Sequence, residues 1–280
     1  MPRPKPSRRP GNQGNKRSGK RGDNRSRPSR ADGPLELQNP HAALVALKRR
    51  PQDAVALQVS GEGGPAWNRV LALVQEHGIR VEEMDRSQRD SPGDRGGRRT
   101  GVALAIAGPP ASKLNAMLAE TTDGTDGGLW LALEQVQDPR NLGAIFRSAA
   151  FFGVRGVILT KDRSASLTAI ACDTAAGGAD AIPHCVVTNL ARTLEVAREE
   201  YALRVVGASE HAEEPIAAIG RGPNTLLVLG NEEKGLRRLT RERCDRLAAI
   251  PAGGSGLEVG SLNVSVAAGV LMHSLTQGPQ

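Results

Sequence analysis

Apolar and polar positions along this chain switch repeatedly between two spacings. HAALVALKRR (His41–Arg50) repeats its apolar residues as a helix would. Ala54–Val59 has the length and content of a strand, and Trp67–His77 returns to helical spacing before Gly78 closes it. Short strands are predicted at Ile79–Glu83 and Val102–Ala107. From Leu129 the order is strand 129–134, helix 141–152, strand 156–160, helix 166–176, helix 190–201 and strands 203–208 and 225–230. A short helix near 235–241, a strand at 246–250 and a final helix from 263 complete it. This alternation predicts an α/β fold, a mostly parallel sheet with helices on both faces.

Punctuation divides the chain into a tail (1–34), a small α/β unit (35–107), a linker rich in Pro, Gly, Asp and Thr (108–128) and a larger unit (129–280). The net charge of +7 belongs to the tail. Residues 1–30 hold eleven of the 37 Lys/Arg and only Asp23 of the 30 acids, so the remainder carries 26 basic against 29 acidic residues. With no aliphatic residue between Met1 and Arg30, the tail is expected to be disordered. Its charge suits a phosphate backbone; a solubilising extension is the alternative. The Arg-rich stretch DRSQRDSPGDRGGRRT (Asp85–Thr100) reads equally as a solvated loop or an RNA contact.

Cys172, Cys185 and Cys244 lack metal-ligand spacing, so buried thiols in a reducing cytoplasm are expected, with no metal. No apolar run reaches membrane-spanning length. Three Phe, one Tyr and two Trp are too few for a base-stacking platform, so any RNA contact would be electrostatic or by shape.

Three islands carry the candidate chemistry: DPRNLGAIFRSAAFFGV (Asp138–Val154), LLVLGNEEKGL (Leu226–Leu236) and IPAGGSGLEVGSLNVSVAAGVL (Ile250–Leu271). Each joins an apolar run to a polar turn and then a helical pattern, and that edge of an open α/β sheet is where ligands bind. Asn141 stands where a helix N-cap belongs, over a buried stripe of Leu142, Ile145, Phe146, Ala149 and Phe152. Arg147 lies off that stripe, free to reach the sheet edge or to sit as a surface arginine. Gly230 permits close approach to the backbone, and Glu232 could hold a cation or remain a solvated acid. Ser261 and Asn263 both suit a cap of the last helix, whose face Val264, Ala267, Ala268, Val270 and Leu271 asks for close packing.

In this order the islands resemble the three motifs of the SpoU-type RNA ribose 2′-O-methyltransferases of the SPOUT superfamily, over about residues 129–276. Lys161–Thr193 is similar to the 23S rRNA guanosine-2′-O-methyltransferases of that family, and residues 35–107 resemble their small RNA-binding domain. The resemblance implies a deep trefoil knot, S-adenosylmethionine as cofactor, and a homodimer with active sites at the subunit interface. It implies a cofactor site at Leu229, Gly230, Asn231, Ile250 and Leu262, largely through backbone groups. Asn141, Arg147, Glu232, Ser261 and Asn263 become the catalytic and RNA-facing set, with guanosine of 23S rRNA as the expected target. A tRNA target, or a non-catalytic ribosome-assembly factor on the same fold, are the alternatives. The chain departs from the family pattern at Glu233 (usually Gly), in the longer stretch between Pro251 and Ser261 with Gly260 before the serine, and at Arg99-Thr100-Gly101.

Overall fold

A computed structural model of the chain describes residues 33–61, 63–84, 101–119, 127–220, 222–253 and 261–276. The basic tail, the Asp85–Thr100 stretch and the extra length of the third island lie outside these residues.

Two sheets organise the fold. The smaller has the order β1 (Leu35–Leu37), β4 (Val102–Ile106), β2 (Ala54–Val59), β3 (Val81–Glu83), with helices α1 (Pro40–Arg49) and α2 (Asn68–Glu76). The larger contains β5 (Leu129–Leu133), β6 (Gly156–Thr160), β7 (His184–Val187), β8 (Arg204–Ala208), β9 (Thr225–Leu229) and β10 (Arg246–Ala248). Its order is β10-β8-β9-β5-β6-β7, and every pairing is parallel. The helices, in chain order, are α3 (Leu114–Leu118), α4 (Pro139–Phe151), α5 (Ala169–Ala175), α6 (Gly178–Ala181), α7 (Leu190–Tyr201), α8 (Ile216–Ile219), α9 (Arg238–Glu242) and α10 (Val264–Thr276).

Strand periodicity sorts the core. Leu131, Leu133, Val157 and Leu227 face α4 and α10, whereas Trp130, Ala132, Ile158 and Val228 face α3 and α7. Both faces are thereby covered, as fully apolar strands require.

Four short elements escape sequence patterning: β1, β7, α6 and α8, of three to four residues each. The stretch expected as a linker carries α3, which is pinned rather than free. Met117 and Leu118 are buried, Trp130 Nε1 donates to Met117 O (3.3 Å), and Ser112 N donates to His184 O (2.7 Å). On α10 the packed face is Val264, Ala268, Leu271, Met272 and Leu275; Val270, expected there, is 38% exposed because the helix has apolar residues on more than one side.

The two sheets share one apolar core, and polar ties join them. Gln38 N and Asn39 N donate to the Asp173 carboxylate, and Asn39 Nδ2 donates to Asp173 O (2.9 Å). Arg50, at the end of α1, donates from Nε to Asp180 Oδ1 at 2.6 Å, and both side chains are almost wholly buried. Burial pushes the carboxyls of Asp173 and Asp180 up from their ordinary range, against the lowering effects of their hydrogen-bond partners.

His184 on β7 is buried edge-on against Phe146, with ring centroids 6.1 Å apart. Burial pulls its pKa from 6.5 down to about 4, so the folded chain holds it neutral. A depressed histidine pKa gives stability that is present above the unfolded value and lost as pH falls through the folded one. Between about pH 6.5 and 4, unfolding free energy should therefore drop by up to about 3 kcal/mol from this group. Denaturant titrations across that range, with His184→Gln expected to flatten the slope, measure it.

Candidate active site

All six strands of the large sheet run parallel, so their C-terminal ends gather at one edge, and the three islands meet there. Asp138, not Asn141, caps α4: its carboxylate accepts from Arg140 N at 2.8 Å, with Pro139 in the first turn. An Asp-Pro pair makes the stronger helix start, and it leaves the Asn141 amide available for tertiary contacts. Asn141 Nδ2 donates to Glu232 Oε1 (3.3 Å), and Asn141 Oδ1 accepts from Asn263 Nδ2 (3.1 Å). Asn263 Oδ1 in turn accepts from Ser265 N (2.9 Å), so it serves as cap of α10 and as tie to α4 at once. One side-chain chain thus joins all three islands.

Beside it lies a cleft of about 460 Å³. Leu229, Gly230, Asn231, Ile250 and Leu262 all line it, together with Glu232 and Ser261. Its floor is apolar, from Leu229, Ile250, Val264 and Leu271. Asn141, Asn263 and Arg147 are outside its lining. Arg147 is exposed on α4 and has no hydrogen-bond or ion-pair partner among the described residues. The structure therefore brings Asn141, Glu232 and Asn263 into contact, sets Ser261 on the cleft wall, and leaves Arg147 apart from them.

Gly230 has a reason beyond ligand access. A Cβ there would stand 2.2 Å from the carbonyl carbon of Gly235 and 2.4 Å from Leu236 N, so the glycine lets the loop fold back on itself. Gly235, at φ +63°, completes that turn, and the backbones of Asn231 and Gly235 pair in both directions (3.1 and 2.9 Å).

Sequence patterns did not single out Ser209, Glu210, His211, Glu134 or Gln135. Ser209, Glu210 and His211, just past β8, form part of the cleft wall. Glu134 is buried at the end of β5 and ties α9 to the sheet: it accepts from Thr240 Oγ1 (2.6 Å) and from Arg237 N (2.8 Å) at the start of that helix. Gln135, next to it, is a non-glycine residue at φ +59°. An acid closing an otherwise apolar strand was the available signal for Glu134. Among the described residues no group of three or more His, Cys, Asp or Glu is placed to hold a metal, and no helix is long and apolar enough to cross a membrane.

The profile of the SpoU rRNA Methylase family matches residues 128–273, which include every residue of this site. The 23S rRNA (guanosine-2′-O-)-methyltransferase RlmB of Pseudomonas aeruginosa is 39% identical over 237 residues, spanning 84% of this chain and 93% of that protein. The enzyme of the same name from Haemophilus ducreyi is 38% identical, spanning 85% and 95%. In fold, the chain is similar to the SpoU methyltransferase AviRb from Streptomyces viridochromogenes (TM-score 0.69, 21% identity, 86% of this chain and 88% of that one). AviRb has also been solved in complex with AdoMet. A parallel sheet with three motif loops at one edge, a profile match over more than half the chain and relatives aligned nearly end to end agree: this chain belongs to the SpoU rRNA methylase family.

Proposed function

We propose that this protein methylates the ribose 2′-hydroxyl of a guanosine in 23S rRNA, with S-adenosylmethionine as methyl donor. The observation that carries the reading is the Asn263–Asn141–Glu232 chain standing beside the cleft. A concave site of about 460 Å³ with an apolar floor and a polar rim has the size and chemistry for an adenosine and an amino-acid tail. Leu229, Gly230, Ile250 and Leu262 would hold the cofactor. Bound there, S-adenosylmethionine would supply an electrophilic sulfonium methyl with a neutral thioether as its leaving group.

The chain's own residues align the hydroxyl and move its proton. Each Glu232 oxygen accepts one amide hydrogen bond, Oε1 from Asn141 and Oε2 from Asn231, and retains a lone pair. Glu232 takes the hydroxyl proton as the O–CH₃ bond forms, and releases it to solvent afterwards. An arginine has five N–H donors and no acceptor, so Arg147 acts as an anchor for phosphate or for the developing alkoxide rather than as a base.

Arg147 reaches such a site in a homodimer. Phe151 (83% exposed) on the same helix and Val266 (52%) and Val270 on α10 present apolar side chains to solvent, and a second copy is the occupant that also brings Arg147 into use. The knot belongs to this reading too, supported by the shared SpoU fold, as does RNA capture by residues 35–107 and the basic tail.

Calorimetric titration with S-adenosylmethionine, followed by methyl transfer to unmodified 23S rRNA and to tRNA, tests the reading. Saturable binding and transfer to a 23S guanosine are expected. Gly230→Ala should weaken cofactor binding about tenfold, since forcing a methyl into a closed loop costs roughly 1–3 kcal/mol. No binding by a folded dimer would leave a non-catalytic RNA-binding role, and transfer to tRNA alone would move the substrate.

A further inference from the structure

Asn231 lines the cleft, yet its side chain's hydrogen-bonding capacity is already spent inside the protein. Nδ2 donates to Gln135 O (3.0 Å) and to Glu232 Oε2 (3.2 Å). Oδ1 accepts from Glu233 N (3.1 Å) and Lys234 N (3.2 Å). Its backbone N–H and carbonyl are both paired with Gly235. An asparagine side chain has two donor hydrogens and two acceptor lone pairs, and all four are used. A ligand can hydrogen-bond the Asn231 side chain only by breaking one of these bonds, while the backbone carbonyl, which accepts from Gly235 N alone, keeps a second lone pair.

Its partner Gln135 is unusual in two independent ways. Its backbone is left-handed at φ +59°, a conformation that costs about 1 kcal/mol or more outside glycine. Its side chain is buried, 8% exposed, and Nε2 has no hydrogen-bond partner among the described residues. The conformation is held from below: Gln135 N donates to Thr160 Oγ1 (3.1 Å), and that hydroxyl shares a hydrogen bond with Ser164 Oγ (2.7 Å). With its N–H fixed on β6, the residue turns its carbonyl toward β9, where it meets Asn231.

We infer that Gln135 and Asn231 are positioning residues for Glu232: the left-handed turn at Gln135 aims a carbonyl that orients the Asn231 amide, and the amide sets the carboxylate. The polar chain therefore extends from Ser164 through Thr160, Gln135, Asn231 and Glu232 to Asn141 and Asn263, across the ends of β6, β5 and β9 and the start of α10. This takes the Asn231 side chain out of the cofactor ligands, and it rests on the methyltransferase function proposed above.

Asn231→Asp discriminates. Aspartate still accepts from Glu233 N and Lys234 N, so the loop keeps its turn, but it donates nothing to Gln135 O and sets a like charge beside Glu232. We expect kcat on 23S rRNA to fall at least about tenfold, the worth of one or two hydrogen bonds. Affinity for S-adenosylmethionine should change less than about threefold, and the melting temperature should be close to that of the parent. Gln135→Gly, which takes φ > 0 without strain, should exceed Gln135→Val in kcat by about tenfold at equal cofactor affinity. A readout independent of turnover is the Asn231 side-chain amide in ¹H–¹⁵N spectra of the cofactor-free protein. Both protons should exchange slowly, and the resonance should be lost from its place in Gln135→Val. Rapid exchange, or a loss of cofactor affinity in Asn231→Asp that matches the loss of kcat, overturns the inference. A parent protein that binds S-adenosylmethionine but methylates no RNA defeats the proposed function, and the amide spectra still decide this one.

Discussion

Arg147→Ala is expected to lower kcat for methyl transfer by about 10²–10³-fold, the usual cost of removing one preorganised donor from a developing oxyanion. Affinity for S-adenosylmethionine should stay within about twofold of the parent, because no part of Arg147 lines the cleft and the exposed side chain bears no interaction among the described residues. For the same reason folding stability should be almost unchanged. Arg147→Lys keeps the charge and loses the planar fork, so it should fall between the two where phosphate is gripped in a bidentate manner. Single-turnover transfer with saturating cofactor and RNA, beside calorimetry on each variant, separates these effects. Near-parental turnover in Arg147→Ala would remove the residue from catalysis. A parallel loss of cofactor affinity would put it in the cleft instead.

That result would also bear on the proposed dimer. In a single copy Arg147 stands apart from the Asn263–Asn141–Glu232 chain, which is itself complete. If Arg147 acts at the reacting oxygen, either its exposed side chain swings to the cleft within one chain or a second copy brings it there. In the second case, mixing Arg147→Ala subunits with Glu232→Gln subunits should restore part of the activity in the heterodimer. Restoration fails if both residues serve the same site from one chain.

Much of this site could be read from residues alone, for physical reasons that differ by position. Strands β5, β6 and β9 announce themselves because they are buried on both faces and therefore apolar throughout. The parallel order then forces their C-terminal turns together, so Glu232, Asn141 and the Ser261–Asn263 turn could be grouped before any contact was known. The helix start at Asp138 rather than Asn141 was missed because several good capping residues compete near one turn, and only tertiary pairing decides which one caps. Asn231 shows a different limit. Its lining of the cleft follows from its place after β9, but the saturation of its amide depends on Gln135, 96 positions away, and on that residue's backbone angle. Gln135 has no local signal at all: a glutamine after a strand is unremarkable until its φ is known. The close fit of the 35–107 unit against α5 and α6 was likewise invisible, since Asp173 and Asp180 belong to no motif and their partners lie 130 or more positions away.

Arg50→Met is expected to destabilise the protein by about 3–5 kcal/mol at neutral pH, because it leaves the Asp180 carboxylate buried and unpaired. Arg50 also donates to the Ala107 carbonyl, which loses a partner. The pH dependence follows from direction alone. Burial already raises the Asp180 carboxyl, and without Arg50 two of the effects that lower it disappear, so it rises further. A raised folded-state value means stability that is full below the unfolded value and lost as pH climbs through the folded one. The Arg50→Met deficit should therefore be complete at neutral pH and shrink as the medium is acidified toward the ordinary carboxylate range. Arg50→Met with Asp180→Leu should recover most of the loss, since replacing both partners of a buried pair by apolar groups is often neutral. Denaturant titrations of the parent, both single variants and the double variant complete the cycle. Cofactor affinity should be preserved wherever the chain is folded, because neither residue touches the cleft. RNA turnover should suffer more, because α6 packs directly against α4: a Cβ on Gly178 would lie 3.0 Å from Arg147 N. The contact that holds the small sheet in place thus sits against the backbone of the proposed catalytic arginine. An Arg50→Met protein as stable as the parent at neutral pH would show that the pair is not buried in solution, and that the small unit does not rest on α6.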